Sequence, residues 1–452
     1  MLMSISFISY LFFFLSIFLS TIYPALIILR CSRLDTVDFI ENEQDNSRSL
    51  SVVVPSRNEP RDLVVRDLVI LSGIECIDDV VVVFDDSINY VVNVVSSMDS
   101  MFFSRGIVVA RFNSFGGRNS ALSDGARLSQ GDVVFIADVD TVPSKELLCK
   151  AKRCRDVCVG IWNPYIDSYT KVEEGMAYIT RFGSWIYYEL RLRLNLFIYP
   201  LGSGTAIDKE LLKSIGFWRI DVIQDDIWLG FEFMYRGIRP RLINSYIDVG
   251  VPKTLNAARV QQCRWSYGAM NIVSRFLDRV VEAPIDLWKK LEALLYVFQP
   301  ISSIFALLAF SIALICSIME RGVDVNPTYL LPIAVTLSIQ LLVFNTYSNK
   351  VLKIDRWKRI YFSGRVGAIY TLLSPLLGIY ALRGLFRLSY RYRVTPKVFS
   401  SRSRFDVSEV LALSLSLPTV VMSFVHKNYV SLVIAFPLLL SSLYSLIRLE
   451  KG

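Results

Sequence analysis

The chain opens with a long apolar run and returns to such runs in its last third. Residues 5–29 carry no charged side chain over about 25 residues, which is enough to cross a hydrocarbon layer of about 30 Å. This run lacks a basic leader and a small-residue cleavage site, so we predict an anchor rather than a cleaved signal. Four further spans are predicted at about 293–319, 328–347, 407–425 and 429–447.

Another apolar stretch, 366–386, differs from these spans because basic residues flank both of its ends. Those before it are Arg356, Lys358, Arg359 and Arg365, and those near or after its end are Arg383, Arg387, Arg391, Arg393, Lys397, Arg402 and Arg404. Lys and Arg favour the cytoplasmic side, and Pro375 lies mid-stretch, so an interfacial or re-entrant segment is predicted. Five spans then place the N-terminus outside and the middle of the chain in the cytoplasm.

The pattern changes between about 48 and 285 to short β-branched runs separated by polar stretches that suit helices. This alternation predicts a three-layer α/β domain with a mainly parallel sheet. Buried strands are predicted at 51–55, 80–84, 107–110 and 133–137. Polar residues follow these strands, at the edge where open α/β sheets bind ligands. Residues 185–194 alternate bulky apolar and basic side chains, which suits a membrane-surface segment or a strand.

The predicted organisation is an anchor at 1–30, an α/β domain at 31–285 and a membrane region at 286–452. With 53% hydrophobic and 20% charged residues, the chain fits a protein that is part in the bilayer and part in water. Its net charge of +8 comes largely from residues beside membrane segments, which favours contact with membrane lipids over nucleic-acid binding. The seven cysteines lack zinc-site spacing and are expected to be free thiols in a reducing cytoplasm. His426, the only histidine, is predicted outside, which excludes a Ser-His-Asp triad.

Two acidic pairs follow predicted strands. Asp85 and Asp86 come after the second strand, where a carboxylate can accept hydrogen bonds from a base N–H or a ribose hydroxyl, although Asp86 also suits a helix cap. Asp138 and Asp140 end the fourth strand. Alternation puts both on one face, so both can bind one hard cation such as Mg²⁺ or Mn²⁺, which would relieve their mutual repulsion.

Three further motifs suit phosphate, proton and sugar chemistry. Gly116 and Gly117 allow close backbone approach, and Arg118 can bind phosphate oxygens, although a plain helix start is the alternative. Asp225 and Asp226 form a third acidic pair that can act in proton transfer if burial raises a pKa, or that merely begins a helix. In the third motif, helical spacing puts three side chains on one face, suited to a diphosphate and a sugar or to interface anchoring: Gln261, Arg264 and Trp265.

These motifs, in this order and followed by membrane spans, resemble the membrane-embedded family 2 glycosyltransferases, the group of cellulose, chitin and hyaluronan synthases and ceramide glucosyltransferases. Asn58 and Glu59 match the family's opening motif, and 392–397, ending Val-Thr-Pro-Lys, is similar to its gating segment. The resemblance implies an α/β GT-A-like nucleotide-sugar-binding domain inserted between transmembrane α-helices. Three positions depart from the family pattern: Arg118 replaces a lysine, Asp225 a glutamate, and Tyr392 another aromatic residue.

The resemblance also implies roles for particular residues. The nucleotide-sugar would contact Asn58, Glu59, Asp85, Asp86, Arg118, Asp138, Gln261, Arg264, Thr395 and Lys397. The metal would bind Asp138 and Asp140, and Asp226, with Asp225 beside it, would be the catalytic base. The acceptor would contact Gly204, Trp218 and Trp265, although Trp218 also suits a core position and 392–397 a basic loop beside the membrane.

The activity implied is inverting transfer of a sugar, expected from a UDP-sugar, to a saccharide or lipid acceptor. A polysaccharide synthase that also translocates its product is the first hypothesis, because the Val-Thr-Pro-Lys segment favours it. A glycolipid-forming enzyme without translocation is the second, and a non-catalytic transporter or scaffold is a remote third. The protein is expected in the cell membrane, with its α/β domain in the cytoplasm.

Overall fold

The computed structural model describes residues 5–31, 48–111, 113, 115–325, 327–397 and 405–449. Its central domain is built on one eight-stranded sheet, in the order β3-β2-β1-β4-β7-β6-β8-β5. The strands are β1 Leu50–Ser56, β2 Asp79–Phe84, β3 Gly106–Ala110, β4 Val133–Ile136, β5 Thr141–Pro143, β6 Val157–Tyr165, β7 Thr205–Asp208 and β8 Arg241–Gly250.

The first four strands in the chain form the parallel part of the sheet, as predicted. Strand β1 pairs with β2 and with β4, and β2 pairs with β3, all in parallel. The β-branched side chains of β1, β2 and β4 are buried on both faces, as in Val53 and Val82, because helices cover the sheet on either side. The carboxyl ends of β1, β2 and β4 therefore meet at one edge, which carries the acidic motifs. Strand β3 was predicted to be buried but lies at the edge of the sheet, and Val108 in it is exposed.

The other four strands form a mixed half that the hydrophobic pattern does not predict. Strand β7 pairs antiparallel with β4 and β6, β8 pairs parallel with β6, and β5 pairs antiparallel with β8. The pairing of Thr141 with Val249 places the end of β8 beside the Asp138–Asp140 loop. The mixed half thus closes one side of the acidic edge.

Ten helices of the described chain belong to this domain. They are α2 Arg61–Ser72, α3 Ile88–Val95, α4 Ser100–Arg105, α5 Gly117–Leu128, α6 Lys145–Ala151, α7 Lys171–Ser184, α8 Arg191–Arg193, α9 Lys209–Ser214, α10 Asp225–Tyr235 and α11 Leu255–Glu282. A π-helical turn, Trp185–Leu190, joins α7 to α8. The segment 185–194 is therefore helical and not a strand, and it packs against the end of the N-terminal helix, where the Cys31 thiol donates to the Leu190 carbonyl.

The remaining helices come from both ends of the chain. They are α1 Ile5–Cys31, α12 Leu287–Val297, α13 Ile301–Met319, α14 Pro327–Tyr347, α15 Arg356–Leu385, α16 Val407–His426 and α17 Tyr429–Tyr444, with π-helical turns at Ser348–Leu352 and Ser445–Leu449. Six helical segments are long and apolar enough to cross a membrane: Ile5–Cys31, Ile301–Met319, Leu330–Leu352, Arg356–Leu385, Val407–His426 and Tyr429–Leu449. Five of them correspond to the predicted spans, except that the predicted 293–319 span is split into α12 and α13.

Helix α15 corrects the prediction for 366–386. It is one unbroken helix of 30 residues that includes Pro375, so the re-entrant alternative is wrong, and by length and composition it is a sixth candidate span. Two points on α15 contact the α/β domain: Arg365, in the first half of the helix, pairs with Glu174 of α7, and the Gly384 carbonyl, near its end, accepts a bond from Ser274 of α11 at 3.4 Å. The interfacial alternative for 366–386 stays a prediction. Of its predicted basic flanks, Arg402 and Arg404 lie outside the described residues.

The cysteines also differ from expectation. Cys76 is bonded to Cys149 and Cys154 to Cys158, with Cα atoms 5.2 and 5.9 Å apart, so four of the seven are not free thiols. The first disulfide ties the loop before β2 to α6. The three free cysteines are buried: Cys31, Cys263 and Cys316.

Candidate active site

The loops after β1 and β2 are bonded to each other. The Asp85 N–H donates to the Ser56 carbonyl at 2.9 Å, and the Asn58 N–H donates to Asp86 Oδ1 at 2.7 Å. Asn58 adopts a left-handed backbone conformation, with φ of 54°, which turns its N–H toward that carboxylate. Asp85 lies 3.3 Å from Arg111, and burial raises the pKa of its carboxyl despite this cation. The sequence predicts that Asn58, Asp85 and Asp86 lie together, and they do.

Arg118 links the end of β4 to the start of α10. Its Nη2 lies 2.9 Å from Asp138 Oδ1, its Nη1 lies 2.7 Å from Asp225 Oδ2, and it also donates to the Gly202 carbonyl. Arg118 stands in the first turn of α5, where Gly116, with φ of 75°, turns the chain into the helix. Burial opposes the charge of its guanidinium, but Asp138 and Asp225 outweigh burial and raise its pKa. A side chain predicted to face phosphate therefore holds two carboxylates.

A lysine from the far end of the chain reaches Asp140. Lys397 Nζ lies 2.8 Å from Glu59 Oε1 and 3.4 Å from Asp140 Oδ1. Burial disfavours the ammonium, but the two carboxylates outweigh it and raise the Lys397 pKa. Burial also raises the pKa of Glu59, against the effect of Lys397. The opening motif, the Asp-x-Asp loop and the Val-Thr-Pro-Lys segment thus meet at one point.

Asp138 and Asp140 suit a divalent cation in chemistry and number. Both are oxygen donors, and each faces a cationic side chain, which indicates that this corner of the site needs positive charge. Within the described ranges, no group of three or more His, Cys, Asp or Glu side chains gathers as a metal site. A metal here would complete its coordination with substrate oxygens and water, as Mg²⁺ commonly does.

Asp225 and Asp226 begin α10, where the helix dipole favours negative charge. Asp225 is buried against Arg118. Asp226 accepts a hydrogen bond from the Ile227 N–H at 2.8 Å, and none of the ion pairs between described residues includes it. Burial first, and then the neighbouring Asp225 charge, raise the pKa of Asp226 to about 7. A carboxylate with this pKa can take a proton at neutral pH and release it again.

The Gln261–Trp265 motif lies on α11, at the other side of the site. Arg264 Nη1 donates to the Tyr392 hydroxyl at 2.9 Å and stands over its ring, 5.4 Å from the centroid. The Trp265 ring lies 6.4 Å from that of Trp162, whose Nε1 donates to the Ser203 carbonyl at 2.8 Å. The sequence gives no signal for Trp162, since it is one aromatic residue within a strand. The two indoles offer an apolar surface of the kind that sugar C–H faces pack against.

The segment 392–397 crosses the site from Arg264 to Asp140. Tyr392 contacts the first and Lys397 the second, and Thr395 Oγ1 between them is buried with no hydrogen-bond partner among the described residues. The sequence cannot predict these contacts from distance along the chain, because two membrane helices separate the segment from the domain. Only the resemblance to a gating segment points to it.

Two predicted acceptor residues are placed differently from expectation. Trp218 is 3% exposed and belongs to the core beneath the sheet, so the prediction that it stacks on a sugar is wrong. Gly204 has a φ of 96°. Its backbone N–H donates to the Ile136 carbonyl and its own carbonyl accepts from the Gly160 N–H, each at 2.8 Å, so both groups are bonded to neighbouring strands. The glutamine beside Gln261, Gln262, contacts α15: its Oε1 accepts a hydrogen bond from the Tyr370 hydroxyl at 3.2 Å.

Comparisons with known proteins show similarity to glycosyltransferases. The sequence model described as Glycosyl transferase family group 2 matches residues 133–348. A probable glycosyltransferase of Sulfolobus acidocaldarius is 26% identical over 366 residues, which cover 77% of each chain. The probable glycosyltransferase YdaM of Bacillus subtilis is 22% identical over 253 residues, covering 50% of this chain and 57% of the relative.

Among solved structures, the mannosyltransferase PcManGT of Pyrobaculum calidifontis, in complex with GDP-Man and Mn²⁺, superposes with a TM-score of 0.55 at 15% identity. The match covers 83% of this chain and 99% of that one. A GT-A-like sheet with acidic loops at its edge, joined to long apolar helices, defines a membrane-embedded glycosyltransferase. The family model, the relatives and the fold support a family 2 glycosyltransferase, the class of enzyme that the order of the motifs predicts.

Proposed function

We propose that the chain transfers a sugar, with inversion, from a nucleotide-sugar to an acceptor hydroxyl, and that Asp226 is the general base. The observation that carries this proposal is the position of Asp226. Its pKa is raised to about 7, and it stands next to Asp225, which Arg118 ties to Asp138 of the predicted metal pair. The base thus lies within one connected set of charges that also includes the donor end of the site.

The proposed donor site runs between the β1 and β2 loops and the Asp-x-Asp corner. The carboxylates of Asp85 and Asp86 would accept hydrogen bonds from the base or the ribose. Asn58 and Glu59 lie in the loop after β1, which is bonded to the Asp85–Asp86 loop through the Asn58 N–H. A carboxylate accepts a ring N–H of uracil or of guanine equally well, so the expected UDP-sugar is not favoured by these contacts. PcManGT is bound to GDP-Man. The donor panel therefore includes both UDP-sugars and GDP-mannose.

Mg²⁺ or Mn²⁺ would be held by Asp138 and Asp140, and PcManGT contains Mn²⁺. Such an ion, when bound, stabilises the negative charge of a departing nucleoside diphosphate. Lys397 and Arg264 would add positive charge on that same diphosphate, because one lies beside Asp140 and the other at the opposite end of the 392–397 segment. Their roles are to hold the leaving group and its charge.

The reaction needs one proton movement from the protein's side. The acceptor hydroxyl oxygen forms the new bond to the anomeric carbon while the bond from that carbon to the diphosphate oxygen breaks and its electron pair leaves with the diphosphate. Asp226 Oδ takes the hydroxyl proton as the new bond forms. Burial and the neighbouring Asp225 charge raise the pKa of Asp226, and Arg118, which pairs with Asp225, opposes this effect.

Replacing Arg118 tests this arrangement. Arg118 lowers the pKa of Asp226, so Arg118→Gln should raise that pKa above its present value of about 7. The acid side of the pH profile of kcat/KM would then move to higher pH, because Asp226 must be deprotonated to accept the proton. Arg127→Gln on the same helix, an exposed arginine paired with Asp124, is the control and should leave the profile in place. An unmoved acid side in Arg118→Gln would contradict the role of Asp226.

Substitutions of Arg264 and Tyr392 distinguish two roles of Arg264: binding the diphosphate and bonding to the 392–397 segment. Arg264→Ala removes a cation proposed to bind the diphosphate and should weaken nucleoside-diphosphate binding by about tenfold or more, since such bonds contribute about 1.5–3 kcal/mol. Tyr392→Phe keeps the ring under Arg264 and removes only the hydroxyl, so it should change binding little. Calorimetric titration with UDP and GDP in the presence of Mn²⁺ measures both. Equal binding by Arg264→Ala and the wild type would exclude the diphosphate role.

The product that we favour is a polysaccharide, with passage through the membrane helices as a further possibility of that function. The 392–397 segment folded onto the site supports a polymer synthase, and the Trp162–Trp265 pair suits a saccharide acceptor. Glycolipid formation is the second candidate, because the acidic site lies in a domain joined directly to apolar helices. Incubating membranes with labelled UDP-glucose, UDP-N-acetylglucosamine and GDP-mannose, and sizing the products, tests this choice. A chain of many sugars supports the first function and a single lipid-linked sugar the second.

We propose that the α/β domain faces the cytoplasm, on the basis of its basic flanks. The two disulfides are unusual for a reducing compartment, which makes a direct test necessary. An introduced cysteine at Arg387 should react with an impermeant thiol reagent only after the cells are opened. Asp324→Cys, in the exposed loop after α13, should react in intact cells. Reaction at position 387 in intact cells would overturn the orientation.

A further inference from the structure

A pocket of ≈ 250 Å³ opens on the side of the α/β domain where it joins the membrane helices. It lies between the end of α8, the start of β8 and the start of α12. Its lining combines apolar and basic side chains, which include Leu196, Ile198, Leu242, Arg239, Arg241 and Lys289. This combination suits a ligand that has both an apolar part and an anionic part.

The three basic side chains of the lining carry positive charge that nearby carboxylates do not neutralise. Neither Arg239 nor Arg241 has a carboxylate partner among the residues that the structure describes. Lys289 lies 3.8 Å from Asp286, whose side chain is 79% exposed, and a pair so open to solvent interacts weakly. Two guanidinium groups without a carboxylate partner among the described residues therefore line the pocket, and each can donate two parallel hydrogen bonds to phosphate oxygens.

Helix α12, which contributes to the lining of this pocket, has the features of a membrane-surface helix. Leu287 and Trp288 are 72% and 68% exposed, and Leu291 and Leu295 continue the same exposed apolar face. The opposite face is buried through Ala293 and Val297, and the helix ends three residues before α13, a candidate span. A short amphipathic helix beside a span, with an exposed tryptophan, is typical of the membrane surface.

We propose that the pocket binds the phosphate of an anionic membrane lipid through Arg239 and Arg241. The start of an acyl chain then packs against the apolar side chains of the lining. The pocket lies apart from the acidic site, because Arg241 begins β8 and Gly250, bonded to Asp140 at 3.0 Å, ends it. A strand of 10 residues separates these points by about 30 Å. The bound lipid fixes the domain against a negatively charged leaflet and takes no part in sugar transfer.

The test uses the full chain in neutral detergent and phosphatidylglycerol carrying a fluorophore that accepts energy from tryptophan. Phosphatidylcholine with the same fluorophore is the neutral probe. The wild type should bind phosphatidylglycerol more tightly than phosphatidylcholine. Arg239→Gln with Arg241→Gln should weaken phosphatidylglycerol binding about 30-fold, since each basic side chain near a membrane surface contributes about fivefold, and leave phosphatidylcholine binding unchanged.

Arg127→Gln with Lys213→Gln removes the same charge from exposed positions on α5 and α9 and is the matched control. It should bind both lipids as the wild type does. If the double variant at the pocket does not fold, Arg239→Gln alone, at an exposed position, should still weaken phosphatidylglycerol binding about fivefold. Equal binding of the two lipids by the wild type, or no difference between pocket and control variants, would overturn the proposal. Displacement of phosphatidylglycerol by millimolar inorganic phosphate would identify a site for soluble anions and overturn the lipid assignment.

Discussion

Asp226→Asn should lower kcat by about 10²–10⁴-fold and leave nucleoside-diphosphate affinity nearly unchanged. The amide keeps the shape of the side chain and its bond from the Ile227 N–H, but it cannot accept the hydroxyl proton. The diphosphate contacts proposed at Asp138, Asp140 and Arg264 do not involve Asp226. Steady-state rates with the identified donor, and titration with nucleoside diphosphate and Mn²⁺, measure the two quantities on the same protein.

In the intact enzyme, kcat should rise with pH through about 7, because the carboxyl of Asp226 loses its proton there. The residual activity of Asp226→Asn should lack that rise. Asp62→Asn, at a 95% exposed position on α2, is the control for an exchange of this type and should behave as the wild type. If Asp226→Asn lost nucleotide binding as severely as Asp140→Asn, Asp226 would belong to the donor site and the assignment of the base would be wrong.

Asp138→Asn and Asp140→Asn should each abolish divalent-dependent transfer while the protein remains inserted in the membrane. Each change removes one of two proposed carboxylate ligands, and the described residues offer no third acidic, histidine or cysteine group to replace it. Transfer rates across a Mn²⁺ and Mg²⁺ titration provide the measurement, and membrane extraction and thermal unfolding show that the variants are folded. Full activity of the wild type in EDTA would remove the metal from the mechanism.

The two variants should differ in one further respect. Asp138→Asn also weakens a partner of Arg118, whereas Asp140→Asn weakens a partner of Lys397. The charge of Arg118 lowers the pKa of Asp226. Asp138→Asn should therefore shift the pH profile of its residual activity, and Asp140→Asn should not. Identical pH profiles in the two variants would show that Arg118 does not connect the metal pair to the base.

The parallel half of the sheet was predictable because its strands are continuous β-branched runs, such as Val80–Val83, and all but β3 are buried on both faces. The mixed half was not. Strand β5 has three residues and β7 has four, and β8 includes Arg241, Asn244 and Ser245, so none shows a clear period. Such strands are held by their neighbours in the sheet rather than by their own pattern.

The position of the acidic motifs at one sheet edge was predictable, whereas the pairings of their side chains were not. Acidic residues after buried strands must gather at one sheet edge, which is why Asp85, Asp86 and Asp138 were found from the sequence. The contact of Arg118 with Asp225 joins residues 107 positions apart and depends on where α10 packs. Trp218 could have been an indole that contacts a sugar or an indole in the core. The structure buries it in the core, and a single sequence does not distinguish these two positions.

The position of Lys397 bears on how this enzyme can be divided. The boundary at residue 285 separates two kinds of sequence, yet the proposed diphosphate site takes its lysine from beyond α15, and α11 is covered by α15 along much of its length, from Gln262 to Ser274. An excised α/β domain would lose that lysine and would expose the face of α11 on which Gly384 now rests. The catalytic unit is therefore not modular: its last part is synthesised only after three of the C-terminal membrane-associated helices, α13, α14 and α15, have been made. A nascent chain that has not yet reached residue 397 would hold a complete sheet and an incomplete active site.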